Sequence, residues 1–125
     1  MTILDSNVWI AFLYIDDAQH EKAKKVFQLC KKPIVIPEYI VIEVSSVLSQ
    51  KAGKRIANAF LEIITQSKDV DVLFSEDQFF IEVVNFFKKR KEHNLSFVDF
   101  SLLYLSKSYQ IITFDKNLQR AIKNS

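Results

Sequence analysis

Short apolar runs rich in β-branched residues alternate along this chain with longer segments of helical period. The runs that indicate strands are residues 2–4, 34–36, 70–74 and 111–113. Strands that are separated by helices pair in parallel, because a crossover helix returns the chain to the end of the sheet at which the previous strand began. The alternation therefore predicts an α/β fold with a mostly parallel sheet.

Capping signals place helices in the intervals between the predicted strands. Ser6 and Ser96 are good N-caps, Ser75 with Gln78 has the spacing of a capping box, and Pro37 suits a first helical turn. The predicted helices span residues 8–13, 18–29, 39–49, 54–66, 75–90 and 96–108.

Length and composition are those of one ordinary globular domain, which we expect to span residues 1–125. The chain begins with a predicted strand and not with a signal peptide, and no apolar run reaches about 18 residues. Its single cysteine, Cys30, cannot form an internal disulfide and suits a reducing compartment. We expect a cytoplasmic protein.

Four acidic residues stand in apolar surroundings. Asp5 and Asp115 directly follow predicted strands, Asp99 lies in a predicted first helical turn, and Glu43 interrupts an apolar helix. Carboxyl ends of parallel strands form the ligand crevice of open α/β sheets, and clustered carboxylates repel one another unless a cation joins them. Oxygen ligands suit Mg²⁺ or Mn²⁺, and no Cys or His cluster offers a zinc site. The pattern predicts a metal site.

The formal charge of +2, from 17 basic and 15 acidic residues, permits a polyanionic partner without requiring one. If four acids gather in one site, the remaining surface is more basic, which suits nucleic acid. A solvated helix end is the commoner meaning of the basic run Lys88 to Lys91. Basic residues near predicted helix ends are nevertheless candidates for RNA phosphate contacts: Lys51, Lys54, Arg55, Lys88, Lys89 and Arg90.

Several short motifs occur in an order that resembles the PIN-domain ribonucleases, and within them the VapC-type toxins of toxin–antitoxin pairs. They are Leu4-Asp5-Ser6-Asn7, His20 followed by Ala23, Pro37 with Glu43, Leu95-Ser96-Phe97-Val98-Asp99 and Thr113-Phe114-Asp115. The resemblance covers nearly the whole chain. It implies a three-layer α/β/α domain with a four- to five-stranded central sheet.

The resemblance also implies a function and a set of roles. Asp5, Glu43, Asp99 and Asp115 match the acidic residues that bind Mg²⁺ or Mn²⁺ for RNA hydrolysis. Asp5 and Asp99 would be principal ligands, Glu43 a ligand or an orienter of the attacking water, and Asp115 an outer or second-metal ligand. The polar side chains that would support them are Asn7 and Thr113. Implied partners are RNA, a cognate antitoxin and a second copy of the chain.

Each acid also has a structural explanation. Asp5 and Asp115 could be N-caps, Asp99 could complete a capping box with Ser96, and Glu43 could face solvent.

Two other functions are disfavoured by the sequence. A dehalogenase-like phosphatase needs a second aspartate where this chain has Asn7, and a phosphoacceptor receiver domain needs an aspartate after a central strand, which this chain lacks. The alternatives that remain are a PIN nuclease in RNA processing outside a toxin pair and an inactive PIN scaffold that binds RNA or protein.

One predicted helix carries four phenylalanines, Phe79, Phe80, Phe86 and Phe87. They cannot all point inward from a single helix, so part of this helix is expected to offer apolar surface to a partner. The alternative is that both sides of the helix are buried within the domain.

Overall fold

The computed structural model describes residues 1–125 and contains one sheet of four strands. All neighbouring pairs are parallel, in the order β3-β2-β1-β4. The strands are β1 (Thr2–Leu4), β2 (Ile34–Pro37), β3 (Val70–Leu73) and β4 (Gln110–Ile112). Every strand lies within one residue of its predicted bounds, so the predicted α/β fold with a parallel sheet is confirmed.

Seven helices connect or follow the strands. They are α1 (Ser6–Leu13), α2 (His20–Leu29), α3 (Glu38–Lys51), α4 (Lys54–Gln66), α5 (Asp77–Lys89), α6 (Phe97–Leu105) and α7 (Lys116–Lys123). No helix of the protein combines the length and the apolar character that a membrane crossing requires.

Two of the predicted caps are wrong, and a third is confirmed. Asp5 and not Ser6 caps α1, because its carboxylate accepts the first free amide. The predicted box of Ser75 does not form, since the Ser75 amide donates to the Glu38 carboxylate at 2.7 Å and α5 begins two residues later. The Ser96 hydroxyl caps α6 as predicted.

Both faces of the sheet are covered, which gives the three layers that the resemblance implies. Successive strand residues point to opposite faces. Leu4 belongs to the larger core beneath α1 to α4, where Trp9 meets Phe60 edge to face at 5.4 Å. Ile3 belongs to the second core, which Phe100 of α6 and Leu118 of α7 complete on the other face.

Helix α5 places its phenylalanines on two sides. Phe79 and Phe86 pack edge to face against Tyr104 of α6, whereas Phe80 and Phe87 remain 58% and 41% exposed. The prediction that this helix leaves apolar surface free is therefore confirmed. The exposed apolar side chains of this region are called the aromatic face below, and they are Phe80, Ile81, Phe87 and Phe97.

Candidate active site

The carboxyl ends of the two adjacent strands β1 and β4 form the centre of the candidate site. Leu4 pairs with Ile112 in the ladder, and the Asp5 amide donates to the Ile112 carbonyl at 2.9 Å. Asp5 and Thr113 therefore leave the sheet side by side, although they are far apart in sequence. Edges of this kind form the ligand crevice in open α/β folds.

The residue Asp5 is only 5% exposed, and both of its carboxylate oxygens accept hydrogen bonds. Oδ1 accepts from the Ser6 amide at 2.7 Å, which is the N-cap bond of α1. Oδ2 accepts from the Thr113 hydroxyl, also at 2.7 Å. These bonds fix the position of the carboxylate from two different elements.

Asn7 and Thr113 lock the two strand ends together. The Thr113 hydroxyl gives its only proton to Asp5. It accepts from the side-chain amide of Asn7 at 3.2 Å and from the backbone amide of Asp115 at 3.1 Å. The side-chain Oδ1 of Asn7 in turn accepts from the Phe114 backbone amide at 3.1 Å. All hydrogen-bonding capacity of the threonine hydroxyl is used, so the Thr113 side chain has one fixed orientation.

Two of the predicted acids, Asp99 and Glu43, act electrostatically on Asp5. Burial raises the pKa of Asp5, and the bonds from Thr113 and Ser6 lower it in part, whereas the negative charges of Asp99 and Glu43 raise it further. The protein's two salt bridges, Lys24 with Glu21 and Arg90 with Glu92, involve none of these acids. Their negative charge therefore has no cationic partner within the chain.

Asp99 and Asp115 also have the capping contacts that were the structural alternatives. Asp99 accepts from the Ser96 amide at 3.0 Å and completes the capping box of α6. Asp115 accepts from the Asn117 amide at 2.8 Å at the start of α7. Each of these contacts uses one carboxylate oxygen. Glu43 is exposed on α3.

In these side-chain positions no three Asp, Glu, His or Cys residues lie close enough to hold one metal ion. The oxygen donors nevertheless suit a hard divalent cation, because Asp5 is buried and the repulsion from Asp99 and Glu43 is offset only by hydrogen bonds and not by a side-chain cation. Asp99 and Glu43 would have to turn toward Asp5 to complete the coordination. Asp115 contacts this group through Thr113, with its carboxylate directed to α7.

Compared with known families, the sequence matches the PIN domain over residues 2–124. The chain belongs to the PIN-domain family. No curated protein sequence matches it. Among solved structures, this PIN domain is similar to a crystal structure of Mycobacterium tuberculosis VapC20, described as a toxin that cleaves the sarcin-ricin loop. The two share 22% identity over 97% of this chain and 95% of the other, with a TM-score of 0.85.

Tyr39 is a member of this region that the sequence did not single out. Its hydroxyl donates to Ser101 at 2.6 Å, because the Ser101 proton is already given to the Val98 carbonyl. Burial raises the pKa of Tyr39 to about 12, and the negative charge of Asp5 adds to the rise. The PIN domain thus keeps a neutral phenol near its buried carboxylate. The sequence gave no signal of this position, because Tyr39 stands among aliphatic residues in the helix pattern.

The six predicted RNA contacts lie at helix ends. Lys51 ends α3, Lys54 and Arg55 begin α4, and all three are exposed. Lys51 is eight residues beyond Glu43 on the same helix, or roughly 12 Å along its axis. Lys88 and Lys89 end α5. Arg90 is the least available, since its guanidinium binds Glu92 and lies 5.0 Å from the centre of the Phe86 ring.

Proposed function

We propose that this PIN domain is a metal-dependent endoribonuclease that hydrolyses RNA phosphodiester bonds as the toxin of a toxin–antitoxin pair. The observation that carries the proposal is the buried Asp5 carboxylate, whose neighbours Asp99 and Glu43 add negative charge while no side-chain cation offsets it. A purely structural site would gain nothing from this repulsion.

The candidate ligands of the metal are Asp5 and Asp99, with Glu43 as a third ligand or as the group that orients the attacking water. A bound Mg²⁺ or Mn²⁺ supplies an acidified water and neutralises charge on the phosphate. The protein contributes position: Thr113 and Ser6 hold Asp5, and Asn7 holds Thr113. Asp115 would act as an outer ligand beside them.

The toxin assignment is supported by the fold shared with VapC20, which is described as cleaving the sarcin-ricin loop. By that likeness we propose that RNA cleavage stops translation or growth in the cytoplasm. A cognate antitoxin would inhibit the enzyme by covering the carboxyl ends of β1 and β4, where Asp5 and Asp115 follow the strands. This part of the protein is called the acidic edge of the sheet below. The single free cysteine agrees with a reducing compartment.

We expect the purified protein to cleave RNA in Mn²⁺ or Mg²⁺ and to be inactive in EDTA, because the acids alone cannot activate water. Gel analysis of RNA incubated with each metal measures this directly. Asp5→Asn purified in the same way is the control against a contaminating nuclease, because a contaminant would cleave equally in both preparations. Full cleavage in EDTA would refute a metal-dependent mechanism.

We propose further that two copies pair through the aromatic face. Acids stand at the amino end of helix α5, Asp77 and the N-cap residue Glu76, and lysines at its carboxyl end, Lys88 and Lys89. Two copies of α5 packed antiparallel about a two-fold axis would bring these acids against the lysines of the partner subunit. Phe80 and Phe87 would be buried between them.

Replacing Phe87 by Asp is expected to convert a dimer into a monomer, because it places a charge in the centre of the buried face. Analytical ultracentrifugation measures the mass. Leu29→Asp is the matched control, since Leu29 is 82% exposed on α2, outside the proposed interface. The pairing is excluded if wild type is monomeric at micromolar concentration or if both variants behave alike.

A further inference from the structure

A polar groove of about 410 Å³ lies between the segment that follows α5 and helix α7. Nine residues line it, of which two are hydrophobic. None of the polar ones is a predicted metal ligand, and Lys91 ends the basic run that the sequence singled out. The side chains with hydrogen-bonding or cationic groups that matter for the argument are Lys91, His93, Asn94, Asn117, Arg120 and Asn124.

The groove adjoins the acidic edge of the sheet at two points. Asn117 lines it, and the Asn117 amide donates to the Asp115 carboxylate at 2.8 Å. Leu95 lines it on the other side and directly precedes Ser96, whose hydroxyl accepts from the Asp99 amide at 3.1 Å. A ligand in the groove would therefore continue toward the candidate active site.

The groove is positively charged. Its one acid, Glu92, is neutralised by Arg90, whose hydrogen bonds lower the pKa of Glu92 to about 2. Lys91 and Arg120 are exposed and take part in neither of the protein's salt bridges. The contact from Arg120 to the Asn117 side chain is long, at 3.4 Å, so the guanidinium is available to an anion.

We propose that this groove binds the RNA strand on one side of the scissile phosphate, an inference that rests on the proposed nuclease function. Lys91 and Arg120 contact phosphates, and the asparagine amides contact sugars and base edges, for which they offer both donors and acceptors. Asparagine amides beside two cations suit RNA better than an acidic peptide, which presents carboxylates without bases.

The test measures binding of a fluorescein-labelled oligouridylate by anisotropy, in Mg²⁺, with Asp5→Asn as the parent so that the RNA stays intact. Adding Lys91→Ala and Arg120→Ala should weaken binding roughly tenfold and lower the slope of log K against log salt by about 1.4, or 0.7 for each lost phosphate contact. Lys31→Ala with Lys68→Ala is the matched control, because it removes the same charge from two exposed lysines that precede the amino ends of β2 and β3.

The proposal for the groove is refuted if wild type cleaves RNA but the Lys91 and Arg120 substitutions change affinity and salt slope no more than the control substitutions do. That outcome leaves the nuclease proposal standing and assigns the groove to another ligand, such as an acidic antitoxin segment. If wild type neither cleaves RNA nor binds it as Asp5→Asn, both proposals fail. Circular dichroism melts verify that all variants fold.

Discussion

Asp5→Asn is expected to cleave RNA at least roughly 100-fold more slowly than wild type, a loss of about 2.7 kcal/mol in transition-state stabilisation. The substitution removes the charge of the one buried acid in the site while changing its volume little. The same variant should abolish any growth arrest that expression of wild type causes in a bacterial host. Initial rates of RNA cleavage and colony growth measure the two effects.

Two further variants separate a catalytic from a structural role. Thr113→Val removes the hydroxyl that donates to Asp5. It should lower the rate of RNA cleavage roughly tenfold, because the carboxylate remains but loses the group that holds it in place. Asp71→Asn, which alters an exposed acid on β3, should leave the rate unchanged. If Asp5→Asn is as active as wild type, the proposed site is wrong.

Manganese is expected to raise the melting temperature of wild type by on the order of 10 °C when its concentration is about 100 times the dissociation constant. At that ratio a ligand that binds only the folded state contributes about 2.7 kcal/mol. Glu43→Gln should respond less, because one carboxylate of the site is gone. In EDTA it should melt no lower than wild type, since Glu43 is exposed and has no ion-pair partner.

Glu62→Gln on α4 is the matched control for this experiment, because Glu62 is also an exposed helical glutamate without an ion pair. It should keep the full manganese response. Equal responses in Glu43→Gln and wild type would exclude Glu43 from the metal site. A wild type that does not respond to manganese at all would contradict the metal site as a whole.

The strands and most helices were predictable because each has a local signal. Thr2 to Leu4 is a β-branched and apolar run, and Ser96 carries its own cap. The box at Ser75 was mispredicted because the sequence does not reveal that Glu38, 37 residues away, binds the Ser75 amide. The strand order, with β1 between β2 and β4, is likewise a property of long-range pairing.

For the candidate site, sequence order predicted which acids would take part but not the directions of their side chains. Asp99 and Asp115 bind the backbone amides of their own helices, contacts that local capping rules allow and that compete with convergence on a cation. Tyr39 and the groove along α7 were missed because their neighbours come from distant elements. A side chain's partners depend on packing, and packing is not encoded in any short motif.

The pairing of Asp5 with Thr113 has a consequence for the timing of activity during synthesis. The first strand supplies the buried carboxylate, but the hydroxyl that holds it is made 108 positions later. A nascent chain that still lacks β4 has a sheet whose β1 edge is open and an aspartate without this support. On the proposed function, such a chain would reach full activity only after its fourth strand has emerged, so activity would follow completion of the sheet and not synthesis of the strand that carries Asp5.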